Sequence, residues 1–208
     1  MYFEMGMKTL PPCALAAAKA VPRNRSVSNI LIEWLVRSVC FANTAPRVYI
    51  CIVRIRLLTV GKTDIPWVRE GLEMYLSRLE HYASFSLEEI PELKNVSSMT
   101  QEQIKHKEGE LILKTVRPRD RVILLDEHGK EYRSLEFAAQ LSSWMQAGRD
   151  LLFVIGGAYG FSPQVYSRAD GKLSLSPMTF SHQLVRTIFA EQLYRAFTIL
   201  RGEPYHHE

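Results

Sequence analysis

Leu151-Leu152-Phe153-Val154-Ile155-Gly156-Gly157-Ala158-Tyr159-Gly160 sets five apolar side chains in a row directly against a pair of glycines. Five consecutive apolar residues show neither the alternation of a half-buried strand nor the length of a helix, so the run reads as a strand buried on both faces. Such strands belong to parallel sheets with helices on both sides, and these sheets bind ligands beyond the carboxyl ends of their strands. Gly156 and Gly157 stand at that end, where residues without a Cβ let the backbone approach a ligand and adopt positive φ without steric cost. Taken alone, the pair reads equally well as a tight turn into a helix opening at Pro163. A dinucleotide loop does not fit, because the spacing is not G-x-G-x-x-G and no acid-tipped strand follows about twenty residues on. A P-loop does not fit either, since no Gly-Lys-Ser/Thr follows.

Outward from this stretch, short apolar runs alternate with helix-length amphipathic segments as far back as Arg54, the pattern of an α/β domain with a mainly parallel sheet. Ile55 to Val60 reads as the first strand. Pro66 opens a helix through about Tyr82, with Val68, Leu72, Tyr75, Leu76 and Leu79 on one face. Phe85 to Ile90 is the second strand. Thr100 followed by Gln103 has capping-box spacing and begins a charged helix to about Thr115. Arg121 to Leu125, ending at Asp126, is apolar enough for a third buried strand. A helix from Ser134 to Ala147, stopped by Gly148, leads back to Leu151. Downstream, Gly171 to Ser176 offers a short fifth strand. A last helix from His182 to about Leu200 carries Leu184, Val185, Ile188, Phe189, Leu193, Phe197 and Leu200 on one broad stripe.

At 208 residues, with 47% hydrophobic and 23% charged side chains, the chain is long enough and apolar enough for one well-buried domain. The greasiest early stretch, Ile30 to Ala42, is broken by Glu33 and Arg37, so no span of a membrane is expected. Charge divides the sequence in two. Residues 1 to 53 hold six of the 26 bases and two of the 22 acids, so the whole +4 surplus lies there and the remainder is neutral. The first segment also has Cys13, Cys40 and Cys51, four prolines and an alanine cluster without a sustained period, so little folded structure is read into it. Those cysteines have no metal-ligand spacing, and a long cysteine-free body argues for a reducing cytoplasm without structural disulfides or a closed zinc site. Glu4 ahead of the bases and the missing apolar core do not make a secretory signal. An acid-poor transit peptide fits the segment better, and a mis-assigned start better still. The physiological chain is expected to begin near Val53, a residue that a GUG initiation codon can encode. An intact mass of the native protein below the full 23.9 kDa is the expected outcome.

Leu152 to Gly160, Leu173 to Phe180, the helix around Leu184 to Arg201 and the ending Pro204-Tyr205-His206-His207-Glu208 together resemble the RlmH family. These are small SPOUT-class methyltransferases that modify a pseudouridine of bacterial large-subunit ribosomal RNA at N3. The resemblance spans Arg54 to Glu208, beginning with the strand and loop Ile55 to Lys62, and does not include residues 1 to 53. It implies a SPOUT-type α/β knot, in which a C-terminal trefoil knot threads the chain through a preceding loop, an exception to the rule against knots. It also implies a homodimer whose active site is completed across the interface, with S-adenosylmethionine held in the knot loops. Carried over by residue, the cofactor contacts are Leu125, Gly156, Gly157, Leu175, Ser176, Pro177, Met178, Thr179 and Phe180. Leu125, Leu175 and Met178 suit the faces of an adenine, loop amides and carbonyls suit its edge, and Pro177 offers a carbonyl but no N–H.

A sulfonium is already a strong methyl donor, so the reaction asks for positioning and not for a metal. N3 of a neutral pseudouridine carries a proton, which calls for a base or for donors near the carbonyl oxygens. On the resemblance, Tyr205, His206 and His207 are candidates, histidine first because it titrates nearest working pH, with Arg201 or Arg195 facing developing negative charge. Without it, the His-His-Glu ending reads as a solvated terminus. Glu191 with Arg195 reads as a helical ion pair and His182 as a helix-start residue. For RNA, Arg117, Arg119 and Arg121 form a compact basic cluster, with Lys105, Lys107 and Lys114 on the helix before it. A neutral body suits a substrate recognised by shape, and the resemblance makes that an assembled ribosomal particle. Two other readings compete: a SPOUT enzyme acting on transfer RNA or a ribose 2'-OH, and a non-catalytic RNA-binding or ribosome-assembly factor. The His-His tail weighs against the first, and the intact loop residues weigh against the second.

Overall fold

The computed structural model describes residues 53–207. The expected leader, apart from Val53, lies outside the described residues.

Five parallel strands form one sheet: β1 (Arg54–Val60), β2 (Ser84–Ile90), β3 (Asp120–Lys130), β4 (Asp150–Ile155) and β5 (Gly171–Leu173). Their order is β2-β1-β4-β3-β5, and every pairing among them is parallel. The helices are α1 (Pro66–Leu79), α2 (Gln101–Thr115), α3 (Ser134–Gln146), α4 (Pro163–Arg168) and α5 (Leu184–Arg201). Side-chain alternation splits the sheet's two faces. Ile55, Leu57, Ile123, Leu151, Phe153 and Ile155 join one core with the apolar faces of α1, α3 and α5. Leu58, Val60, Val122, Leu124, Leu152 and Val154 join a second core with Ile112 of α2 and Val165 of α4. β4 is thus buried on both faces, as its unbroken apolar run requires.

Three boundaries differ from the expectation. α1 stops at Leu79, because Tyr82 turns inward against Tyr194 and Phe197. β3 continues past Asp126 to Lys130, with its register against β5 shifted between Leu125 and Lys130. Gly129 permits this close approach, since a Cβ there would lie 2.6 Å from the backbone of Leu173. β5 ends at Leu173 and not at Ser176, where the Ser174 hydroxyl donates to the Ser176 carbonyl (3.0 Å) and turns the chain.

α5 is anchored at its beginning. Gln183 Oε1 accepts the N–H groups of Asp64 and Ile65, both at 3.1 Å, just ahead of α1. Arg186, fully buried, donates to the carbonyls of Val60 (2.7 Å) and Gly61 (3.0 Å), to the Thr63 hydroxyl (2.8 Å) and to the carbonyl of His182 (3.1 Å). Burial pulls its pKa down while Glu89, Glu92 and Asp64 oppose this, and a guanidinium stays charged throughout. One side chain therefore ties the carboxyl end of the interior strand β1 to the start of the last helix.

Candidate cofactor cleft and C-terminal tail

Leu125 in the middle of β3, beside Ile155 and Leu173 at the carboxyl ends of β4 and β5, borders with them a cleft of about 630 Å³. Pockets of this size are typical for small molecules and cofactors. Leu125, Gly156, Gly157, Leu175, Ser176, Met178, Thr179 and Phe180 all line it, so eight of the nine expected contacts converge from distant parts of the sequence. Pro177 is the exception. Met178 is 74% exposed and stands at the rim.

The glycine turn differs from its expected role. Neither Gly156 nor Gly157 has positive φ; Gly160 does, at +80°, and its N–H donates to the Gly157 carbonyl at 3.2 Å. What crowds a side chain at the first two is proximity. A Cβ on Gly156 would lie 3.1 Å from the Phe161 ring, and one on Gly157 would lie 2.5 Å from the carboxyl of Glu108.

The opposite wall is held by hydrogen bonds that the sequence did not disclose. Thr179 donates its hydroxyl to Glu127 (2.7 Å), tying the 175–180 loop to β3, and Ser176 Oγ accepts the Met178 N–H (2.9 Å). Tyr166 donates to Asp126 at 2.6 Å, and burial together with this carboxylate pushes its phenol up to about 12. Asp126, Glu127, His128, Tyr166, Lys105 and His182 thus join the lining. Their only signal in the sequence was Asp126 at the expected strand end, Lys105 on the basic helix and His182 at the helix start.

None of Arg195, Arg201, Tyr205, His206 or His207 lines the cleft. The cleft touches His182 and Val185 at the start of α5, whereas the tail follows its far end. An α-helix of that length extends about 27 Å. Tyr205 folds back on the helix: its ring meets Tyr194 edge-on at 4.8 Å, Arg195 lies 4.8 Å over it, and its hydroxyl donates to Glu191 at 3.3 Å. Burial, the Tyr75 hydroxyl and Glu191 raise the Tyr205 phenol well above its usual range. Arg195 also donates to Glu191 at 2.6 Å, so this pair is part-buried beneath the tail and not the surface pair that its spacing suggested. Arg201 lies 4.1 Å over Tyr82 and donates to the His81 carbonyl at 2.9 Å. Within one chain, the structure brings eight of the expected cofactor contacts together and leaves the proton-handling candidates elsewhere.

The whole of this assembly falls inside the match to known proteins. Residues 53–206 match the family described as "Predicted SPOUT methyltransferase". A protein of Parabacteroides distasonis is 52% identical over 157 residues, covering 75% of this chain and 100% of its own length. Relatives from Phocaeicola vulgatus (53%, covering 75% and 100%) and Bacteroides fragilis (54%, covering 73% and 98%) match over equal lengths. All three bear the name ribosomal RNA large subunit methyltransferase H. The chain belongs to the RlmH family of SPOUT methyltransferases.

In this RlmH-family chain the basic residues expected to meet RNA lie in two places. Arg117, Arg119 and Arg121 lie at the amino end of β3, at the opposite end of the sheet from the cleft. There Arg149 and Arg168 pair with Asp170 (2.9 and 3.2 Å), and Arg117 reaches Glu88 at 3.7 Å. Of the three, Arg117 is thus paired within the fold. Lys105 alone of the α2 lysines named above borders the cleft, while Lys107 and Lys114 are exposed. Among the described residues no group of three or more His, Cys, Asp or Glu is placed to hold a metal ion, and no helix is long and apolar enough to cross a membrane.

Proposed function

We propose that this protein uses S-adenosylmethionine to methylate N3 of a pseudouridine in 23S ribosomal RNA, acting as a cytoplasmic homodimer on the assembled ribosome. The observation that carries this reading is the convergence of β3, the glycine turn and the 175–180 loop on one cleft of about 630 Å³. The names of its RlmH relatives supply the ribosomal substrate.

The residues present suit the cofactor. Leu125, Leu175 and Val185 give the cleft apolar surface for an adenine, and two glycines bring bare backbone to its edge. Pro177 is kept as a contact through its carbonyl. The chain's path also suits a SPOUT knot, since β4 and β5 flank β3 and the chain then returns past β3 and the end of β4 to α5. When bound, S-adenosylmethionine supplies an electrophilic methyl group on sulfur. The protein's task is to hold N3 in line with it and to take up the N3 proton.

The tail of one subunit reaches the cleft of its partner in this reading, because it meets no cleft of its own. His206 or His207 accepts the proton, and Arg195, Arg201 and the Tyr205 hydroxyl face the carbonyl oxygens as charge develops. Half-buried Leu184, Ile188 and Ile199 along α5 offer apolar surface for the two-fold contact.

Two measurements test this. Calorimetric titration with S-adenosylmethionine should show saturable binding, and mass analysis of ribosomal nucleosides from a deletion strain should show one methylpseudouridine missing. An unchanged methyl count would exclude the substrate even if the cofactor binds. Sharing of the site is tested by mixing a Gly156→Trp subunit with one lacking Tyr205 to Glu208. Each alone should be inactive, and the mixture should regain roughly a quarter of wild-type activity, since half of randomly paired dimers hold one intact site of two. No recovery in a verified mixed dimer would refute the shared site.

A further inference from the structure

Ile104, Glu108 and Ile112 follow one another at four-residue spacing along the buried stripe of α2. Packing alone would be served by a third aliphatic side chain, so a carboxyl in the middle answers to something else. Glu108 is only 8% exposed, and its Oε2 has no hydrogen-bond partner among the described residues. Carboxylates buried this deeply are rarely left unpaired. Burial first, then nearby Glu92, pushes the carboxyl above its ordinary range, so its charge is disfavoured where it sits. What it faces is the back of the cleft's glycine turn: both oxygens, at 2.5 and 2.8 Å, crowd the place a Cβ on Gly157 would occupy.

We propose that Glu108 is a positioning residue of the cofactor cleft, supporting the Gly156–Gly160 turn from behind and offering Oε2 to a backbone N–H of that turn when the cleft is filled. The turn's own hydrogen bond, from the Gly160 N–H to the Gly157 carbonyl, ties down one side of the loop and leaves its other side to be set by what lies beneath. Glu108 touches neither cofactor nor RNA, and acts through the height and tilt of the turn. It also explains why position 157 is glycine although its φ requires none.

This inference rests on the cofactor reading, and the experiment separates the two. Full-length wild type, Glu108→Ala, Glu108→Gln, Gly157→Ala and the double variant Glu108→Ala/Gly157→Ala are titrated with S-adenosylmethionine and assayed on ribosomes. Glu108→Ala should raise Kd and KM by about ten-fold, more than it lowers kcat. Glu108→Gln, with the same volume and an acceptor oxygen, should stay within about three-fold of wild type. Gly157→Ala should bind poorly, and adding Glu108→Ala to it should restore part of the loss, because the collision is with that carboxyl. Unchanged affinity in Glu108→Ala, a Gln variant as weak as the Ala variant, or a double variant no better than Gly157→Ala would each overturn the proposal. Should Glu108→Ala lose its cooperative melting transition, Glu108→Leu replaces it, matching its isoleucine neighbours; a folded Leu variant of wild-type affinity overturns the proposal equally. A wild-type chain that binds no S-adenosylmethionine would instead bring down the cofactor reading itself.

Discussion

Arg186 shows how much one side chain can hold. Replacing it with Met removes the guanidinium from the buried Val60 and Gly61 carbonyls and the part-buried His182 carbonyl, leaving Gly61 only a 3.5 Å contact from the Thr59 hydroxyl, and a buried acceptor that loses its donor costs about 1–3 kcal/mol. Arg186→Met is therefore expected to destabilise the fold by at least ~3 kcal/mol, read from chemical denaturation, whereas Arg186→Lys keeps the charge and recovers part. A Met variant within ~1 kcal/mol of wild type would contradict this account. Tyr166 gives a pH signature. Its phenol, near 10 in an unfolded chain, is held at about 12 by burial and Asp126, so the folded state favours the neutral form. That contribution is fully present below pH ~10 and is lost as pH rises through ~12. Tyr166→Phe should lack this alkaline loss, and identical alkaline melting profiles for the two proteins would count against it. At this scale the sequence named two glycines that do line the cleft, for an incomplete reason. Close approach to Phe161 and Glu108 is a three-dimensional fact, and nothing local to residues 156 and 157 announces it.

Elements were the most legible level, because periodicity and caps are local. The capping box at α2 formed as its spacing required: the Gln103 N–H donates to Thr100 Oγ1 (3.3 Å) while Gln103 Oε1 accepts the Thr100 N–H (3.0 Å). Thr100→Ala is expected to lower stability by about 1 kcal/mol with little effect on cofactor affinity, and a loss under 0.3 kcal/mol in thermal melts would show the cap to be idle. Where the reading missed, tertiary contacts had overruled local pattern. β3 runs through polar Asp126 to Gly129 because the second half of its pairing lies with Lys130, beyond a shifted register. α1 ends early because Tyr82 gains an aromatic partner by leaving the helix. Such contacts join positions from about forty residues apart, as Lys130 and Leu173, to more than a hundred, as Tyr82 and Tyr194, and have no trace in a window of fifteen.

For the whole molecule, the α/β class and the place of the cleft could be read from β4 and its glycines, while the cleft's distance from the tail could not. That distance depends on how α5 runs from the cleft, which no motif encodes. It leads to a prediction for the intact protein: removing Tyr205 to Glu208 should abolish methyl transfer while leaving S-adenosylmethionine affinity within about three-fold, since Tyr205, His206 and His207 do not border the cleft of their own chain. A parallel loss of cofactor affinity would show that the tail serves binding as well.

The sheet's margins carry one more consequence. β5 spans three residues, and β2, the other margin, presents Glu88 and Glu89 within a half-exposed strand. A neighbouring copy seeking to extend the sheet would find too short a ladder on one side and charged side chains, Glu88 and Glu89 with their arginine partners, on the other. Among the described residues, fibrous growth by strand addition is thus discouraged at both margins of the sheet.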